Sequence, residues 1–331
     1  MFQRLLLALA ILTVGSVQAQ TREVTIYSVY PGEQLAPIFA PFTQRTGIQV
    51  NFVTGTSQEL TKRLADEGAN TTADLHLDKD LVFHGIAQRM GLYRPFNSRV
   101  VESQVPSHLM EKDKFWTTVF YRARVIMYNT NVVKPSELST YEALGDAKWK
   151  GRLCVRTSKN SYNEALGAFF VKHFGAQKTA EILQSWVNNF SVNPLNGDRD
   201  VIQAVADGKC DVGIANTYYL PAFIRANAQF PVRPFFPNQK TTGAHVNGVG
   251  IAIVKHAKNV KEATMLLEYF TSREVQAPVA AAFSQYPVNP TAEMIDILKD
   301  FGRFAEDRTN VGEISHHVPA AVSLFPVVNY K

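Results

Sequence analysis

The chain has 331 residues, 46% hydrophobic and 19% charged, with 34 Lys+Arg against 29 Asp+Glu and a formal net charge of +5. Such a composition builds a folded protein without low-complexity tails, and a length that strains one core suits two lobes. The positive excess is spread along the chain with no dense Lys/Arg block, which argues against a nucleic-acid partner.

The first stretch, "MFQRLLLALAILTVGSVQAQ", has one arginine, an apolar run from Leu5 to Val14, and Val17-Gln18-Ala19. These are the three regions of a secretory signal peptide over 1–19, which predicts export to the periplasm; without Arg4 the net charge is +4. "REVTIYSVY" then reads as a strand, and "GEQLAPIFAPFTQRTG" as a helix with Leu35, Ile38, Phe39 and Phe42 on one face. "IQVNFVTG" is a second strand, and Thr56 and Glu59 have capping-box spacing at the start of the next helix. Strand and helix alternating in this way predict a mixed, mostly parallel sheet covered by helices.

The pattern continues with strands at 73–78 ("ADLHLD"), 122–129 ("RARVIMYN") and 151–156 ("GRLCVR"), then a long helical region ending in "KTAEILQSWVNNF". "DRDVIQAVADGKCDVGIAN" reads as helix, glycine turn and buried strand. "VGIAIV" (249–254) is a late strand, and Asn259 and Glu262 form a second cap pair. The expected division is an α/β fold of two lobes, 20–122 with 249–297 and 123–248 with 298–331. Cys154 and Cys210, an isolated pair in an exported chain, are more readily a disulfide than two free thiols.

In open α/β sheets, ligands bind outside the carboxyl ends of the strands. Those ends carry Tyr30, Asp78 and the adjacent pair Tyr218 and Tyr219, while Tyr162 lies in a loop beyond another strand. No G-x-S-x-G, H-E-x-x-H, P-loop or dinucleotide fingerprint is present, and the histidines are scattered, so no enzyme is expected. A phenol with a free pKa near 10 ionises at neutral pH only beside a highly charged cation. Clustered phenols without carboxylates therefore suit Fe(III) and not Mg²⁺ or Ca²⁺. Two alternatives stay open on these residues: the tyrosines cap the core, or they line a cleft for an organic ligand.

"LCVRTSKNSYNEALGAFF" resembles the "CxRSSxNxYNxSL" stretch of periplasmic ferric-iron-binding proteins, the substrate-binding components of iron ABC importers. "YRARVIMYNTNVVKPSELSTYEALGDAKWKGR", "GDRDVIQAVADGKCDVGIANTYYL", "FFPNQKTTGAHVNGVGIAIVKHAKN" and "YPVNP" resemble the same family in the same order. The resemblance implies a type II periplasmic-binding-protein fold, capture of Fe(III) in a cleft between lobes, and a monomer that delivers to an inner-membrane ABC permease. It also implies Tyr162, Tyr218 and Tyr219 as metal ligands, Tyr30 as a fourth, and a Cys154–Cys210 bridge. Where relatives read "YSSRHY", this chain reads Tyr27-Ser28-Val29-Tyr30-Pro31, so a histidine ligand is missing there.

Three phenolates neutralise Fe(III) and four leave one negative charge. Arg122 or Arg124, which share a strand face, would offset that charge or hold a synergistic anion such as carbonate, and Asp78 would orient a ligand or an arginine from behind. A binding protein of the same fold for another small ligand, an oxyanion, a polyamine or a thiamine-like molecule, is the alternative.

Overall fold

The computed structural model describes residues 22–331, and the leader expected at 1–19 lies outside them. Its strands are β1 (Glu23–Ser28), β2 (Gln49–Thr54), β3 (Leu75–Asp78), β4 (Tyr93–Arg94), β5 (Thr117–Asn129), β6 (Leu153–Cys154), β7 (Val212–Asn216), β8 (Val232–Phe235), β9 (Val246–Val254) and β10 (Tyr286–Pro287). They form one sheet in the order β2-β1-β3-β9-β5-β7-β6, with β4 added on β9 and β8 and β10 on β5. The sheet is mixed, as expected, but it is not mostly parallel. β1 pairs parallel with β2 and β3, and β6 with β7, whereas β5 and β9 run against all their neighbours.

The reason is the course of β5. It begins at Thr117, five residues before the start read from sequence, and pairs with β9 over Thr117–Ala123. From Arg124 onward it pairs with β7, and from Ile126 with β8. One long strand thus crosses from one half of the sheet to the other, with the changeover between Ala123 and Arg124. β5 and β9 are buried along almost their whole length, which is why both read as near-continuous apolar runs.

Two large apolar clusters support the sheet. One includes Val24, Ile26, Phe39, Leu75, Phe120, Ile251 and Phe270. The other lies under the helix Ser161–Val187 and includes Trp149, Phe169, Phe170, Trp186 and Phe325. That helix is broken at Gly175, whose φ of 77° few other residues adopt. Thr56 and Glu59 form the capping box their spacing predicts. The second expected pair does not: Asn259 is the N-cap of Val260–Thr271 but makes no side-chain cap. Its amide donates to Asp74 (3.1 Å), which also accepts the Asn259 N–H at 2.8 Å.

Cys154 and Cys210 are joined, tying β6 to the turn before β7 across 56 residues of sequence. Closing a loop of that size removes about 4 kcal/mol of unfolded-chain entropy. Replacing both cysteines by serine should lower unfolding stability by about 2–4 kcal/mol, read from guanidinium denaturation midpoints. An unchanged midpoint would mean the bridge contributes nothing.

Candidate metal centre

Each candidate tyrosine stands where its element begins or ends. Tyr30 lies just past β1, its N–H donating to Ser28 Oγ (2.9 Å) and its ring packed edge-on against Phe283 at 5.0 Å. Tyr162 is the second residue of Ser161–Val187, and the N-cap Asn160 accepts its N–H at 3.0 Å. The positive end of that helix favours negative charge on the Tyr162 phenol. After β7 the chain enters a tight 3-10 turn, Thr217–Tyr219, and then the helix Leu220–Ala226. Successive residues of such a turn are rotated by about 120°, not to opposite faces as on a strand. Tyr218 and Tyr219 therefore stay together, with ring centroids 4.1 Å apart.

The phenols converge from separate elements. The Tyr218 hydroxyl donates to that of Tyr162 at 3.1 Å. Tyr30 lies within electrostatic reach of Arg122, Tyr162, Asp78 and Tyr219. Burial pushes Tyr30 and Tyr218 well above the ordinary phenol value, and Tyr162 up to about 12 with Arg122 pulling the other way. Beside Val29 and Ser161, the chain neighbours of Tyr30 and Tyr162, lies a hollow of about 410 Å³ bounded also by Ser57, Lys79, Asn160 and Glu164. Among the described residues, no group of three or more His, Cys, Asp or Glu side chains is placed to hold a metal.

Arg122 and Arg124 share a face of β5, but the changeover falls between them and sends them to different partners. Arg122 donates to Lys79 O (2.7 Å) and Asp80 Oδ2 (3.0 Å), and its guanidinium lies 5.0 Å from the Tyr162 ring centre. Arg124, alongside β7, donates to Asp198 (3.0 Å), Asn216 (3.2 Å) and Asn163 (2.6 Å). It braces the end of β7 against the start of the Tyr162 helix. Asp78 reaches neither arginine. It accepts from Ser57 Oγ (3.0 Å) and the Asp80 N–H (3.2 Å), and burial pushes its carboxyl up to about 7.

Residues that no motif singles out complete the surroundings. Asp80 is the carboxylate partner of Arg122 and the N-cap of the helix Leu81–Arg89. Its position at a strand's end, two residues after Asp78 and directly before an apolar helix, was the available signal. Asp198 pairs with Arg124 and Arg156, while Arg156 and Arg199 lie 5.4 and 5.5 Å from the ring centres of Tyr162 and Tyr219.

The raised phenol of Tyr162 has a consequence for stability. Folded, it stays neutral up to about 12, while unfolded it ionises near 10, so its contribution is complete below pH 10 and is lost between 10 and 12. Iron-free protein should lose about 2–3 kcal/mol over that window, and the loss should shrink in Tyr162→Phe. Melting curves taken from pH 9 to 12 check it; identical slopes in both proteins would refute it.

Known proteins match this fold and sequence. The profile of the family described as "Bacterial extracellular solute-binding protein" matches residues 38–303. The chain is 36% identical over 324 residues to "Iron uptake protein A1" of Synechocystis sp., covering 96% of this chain and 90% of that protein. A Trichodesmium protein (IdiA, FutA) solved with iron and citrate superposes with a TM-score of 0.90 at 36% identity, over 93% of this chain and 100% of the other. Ferric iron-binding protein A of Mannheimia haemolytica, in an open conformation, superposes with a TM-score of 0.88 at 30% identity, over 93% and 99%. The fold is that of the type II periplasmic binding proteins, and the chain belongs to the bacterial extracellular solute-binding proteins, in the branch of these iron-uptake and ferric-iron-binding relatives.

Proposed function

We propose that this protein captures ferric iron in the cleft between its two lobes and delivers it to an inner-membrane ABC permease. The proposed ligands are the phenolates of Tyr30, Tyr162, Tyr218 and Tyr219. The observation that carries this reading is the convergence of the phenols, with Tyr218 Oη and Tyr162 Oη 3.1 Å apart. Iron uptake protein A1 and the Trichodesmium protein solved with iron and citrate support the choice of metal. The protein acts in this reading as a monomeric periplasmic carrier and not as an enzyme. Its lobes are 20–122 with 249–297 and 123–248 with 298–331, so that Tyr30 belongs to one and the other three tyrosines to the second.

The charge balance follows from the neighbours. Four phenolates on Fe(III) carry one negative charge, and Arg122, beside the Tyr162 ring, offsets it at short range. Its pairing with Asp80 moderates that effect. Water or a synergistic anion such as carbonate then completes the metal's coordination, with Arg122 as the anion's nearest cation. Each ligating phenol must lose its proton, so iron binding releases protons and weakens as pH falls.

Iron-free protein mixed with ferric citrate should turn red-brown through phenolate-to-iron charge transfer, and the Tyr218→Phe/Tyr219→Phe double variant should stay colourless. A colourless wild type, or a double variant with the wild-type spectrum, would sink the assignment. In weakly buffered solution at neutral pH, loading should release about one proton per ligating phenol, followed with a pH electrode. Loading without proton release would exclude the tyrosines as ligands.

A further inference from the structure

One carboxylate at the edge of the cleft gathers more contacts than helix capping requires. Asp80 is fully buried and follows β3. Its Oδ1 accepts the Val82 N–H (3.0 Å), which caps its own helix, and Asn247 Nδ2 (3.1 Å) from β9. Its Oδ2 accepts Arg122 Nη2 (3.0 Å) from β5 and Ser161 Oγ (3.1 Å) from the helix across the cleft. Ser161 immediately precedes Tyr162, and Arg122 stands 5.0 Å from the Tyr162 ring centre.

The Ser161 contact spans 81 residues of sequence and joins the helix start of one proposed lobe to the other. It is not needed to form that helix, whose cap is Asn160. Ser161 Oγ donates here to Asp80, so the hydroxyl's place is a tie between halves. A hydrogen bond to an ionised, buried acceptor is among the stronger ones a protein makes.

We infer that Asp80 is a positioning residue that latches the cleft through Ser161, holding Tyr162 and Arg122 in place around bound iron and setting how fast the iron leaves. This rests on the ferric reading of the tyrosine cluster. When the halves part, Tyr162 moves with its helix away from Asp80, and the Ser161–Asp80 bond is a tie beside the phenols that must break. The phenolates remain the ligands throughout; the latch changes the rate of opening and leaves the identity of the donors alone.

The test is the rate at which iron-loaded protein loses its charge-transfer colour to excess EDTA, in wild type, Ser161→Ala, Ser161→Thr and Asp80→Asn. Ser161→Ala should release iron about tenfold faster, the size of losing a hydrogen bond to a charged group. Ser161→Thr, which keeps the hydroxyl, should restore the wild-type rate. Asp80→Asn should be faster again, because its amide also loses the ion pair with Arg122. The position of the absorption band should stay that of wild type in both Ser161 variants, which leave the Arg122–Asp80 pair intact. Release from Ser161→Ala within twofold of wild type overturns the latch, as does a shifted band in Ser161→Ala or a lowered iron-free melting temperature that accounts for the change without Thr rescue. A wild type that takes up no iron overturns the ferric reading itself, and is told apart because no colour forms to be released.

Discussion

A phenol removed from water is costly to ionise, and this cleft gathers several of them. Burial holds Tyr30 and Tyr218 far above their ordinary range and Tyr162 near 12, so without a cation they are neutral. Neutral phenols tolerate each other closely, and the Tyr218 hydroxyl donates to that of Tyr162. Carboxylates at the same spacing would repel, or would hold calcium and magnesium, which want oxygen ligands with less demand on charge. In the ferric reading, selection for a trivalent ion is contained in the choice of donor: only a very strong field repays the ionisation of buried tyrosines.

The cations around the cluster are arranged by one strand. β5 changes partner between Ala123 and Arg124, and the two arginines flanking that point go to different halves. Arg122 meets Lys79 and Asp80 near the tyrosines, whereas Arg124 meets Asp198, Asn163 and Asn216 beneath them. One modulates charge at the phenols and the other holds the floor that carries them. Asp198 serves that floor twice over, since it also accepts from Arg156 and from the Asn216 N–H at 2.8 Å.

Much of this was legible beforehand because it is local. Alternating strands and helices, the Thr56–Glu59 box and the tyrosines at strand ends are short-range patterns with direct physical causes. What failed to read were choices made between distant groups. Asn259 has the right neighbours for a capping pair but is drawn to Asp74, 185 residues away. Asp78 sits where an orienting carboxylate belongs, yet Arg122 pairs with Asp80, while Asp78 accepts from Ser57 and the Asp80 N–H on Oδ1 and leaves Oδ2 without a hydrogen-bond partner among the described residues. The sheet is less parallel than alternation implies, since nothing in β5 or β9 alone announces their direction.

The sequence by itself carried the kind of donor that the ferric reading proposes, the export signal expected at its start, and the places along the chain where the phenols stand. Those properties follow from residue chemistry and short-range periodicity. Only the tertiary structure decided that the Tyr162 and Tyr218 hydroxyls meet with the Tyr219 ring beside them, that a turn and not a strand carries the adjacent pair, and that Asp80 reaches both Arg122 and Ser161. Such convergence depends on how β5 and the helix starts are set against each other, a balance of packing and buried charge spread over hundreds of residues.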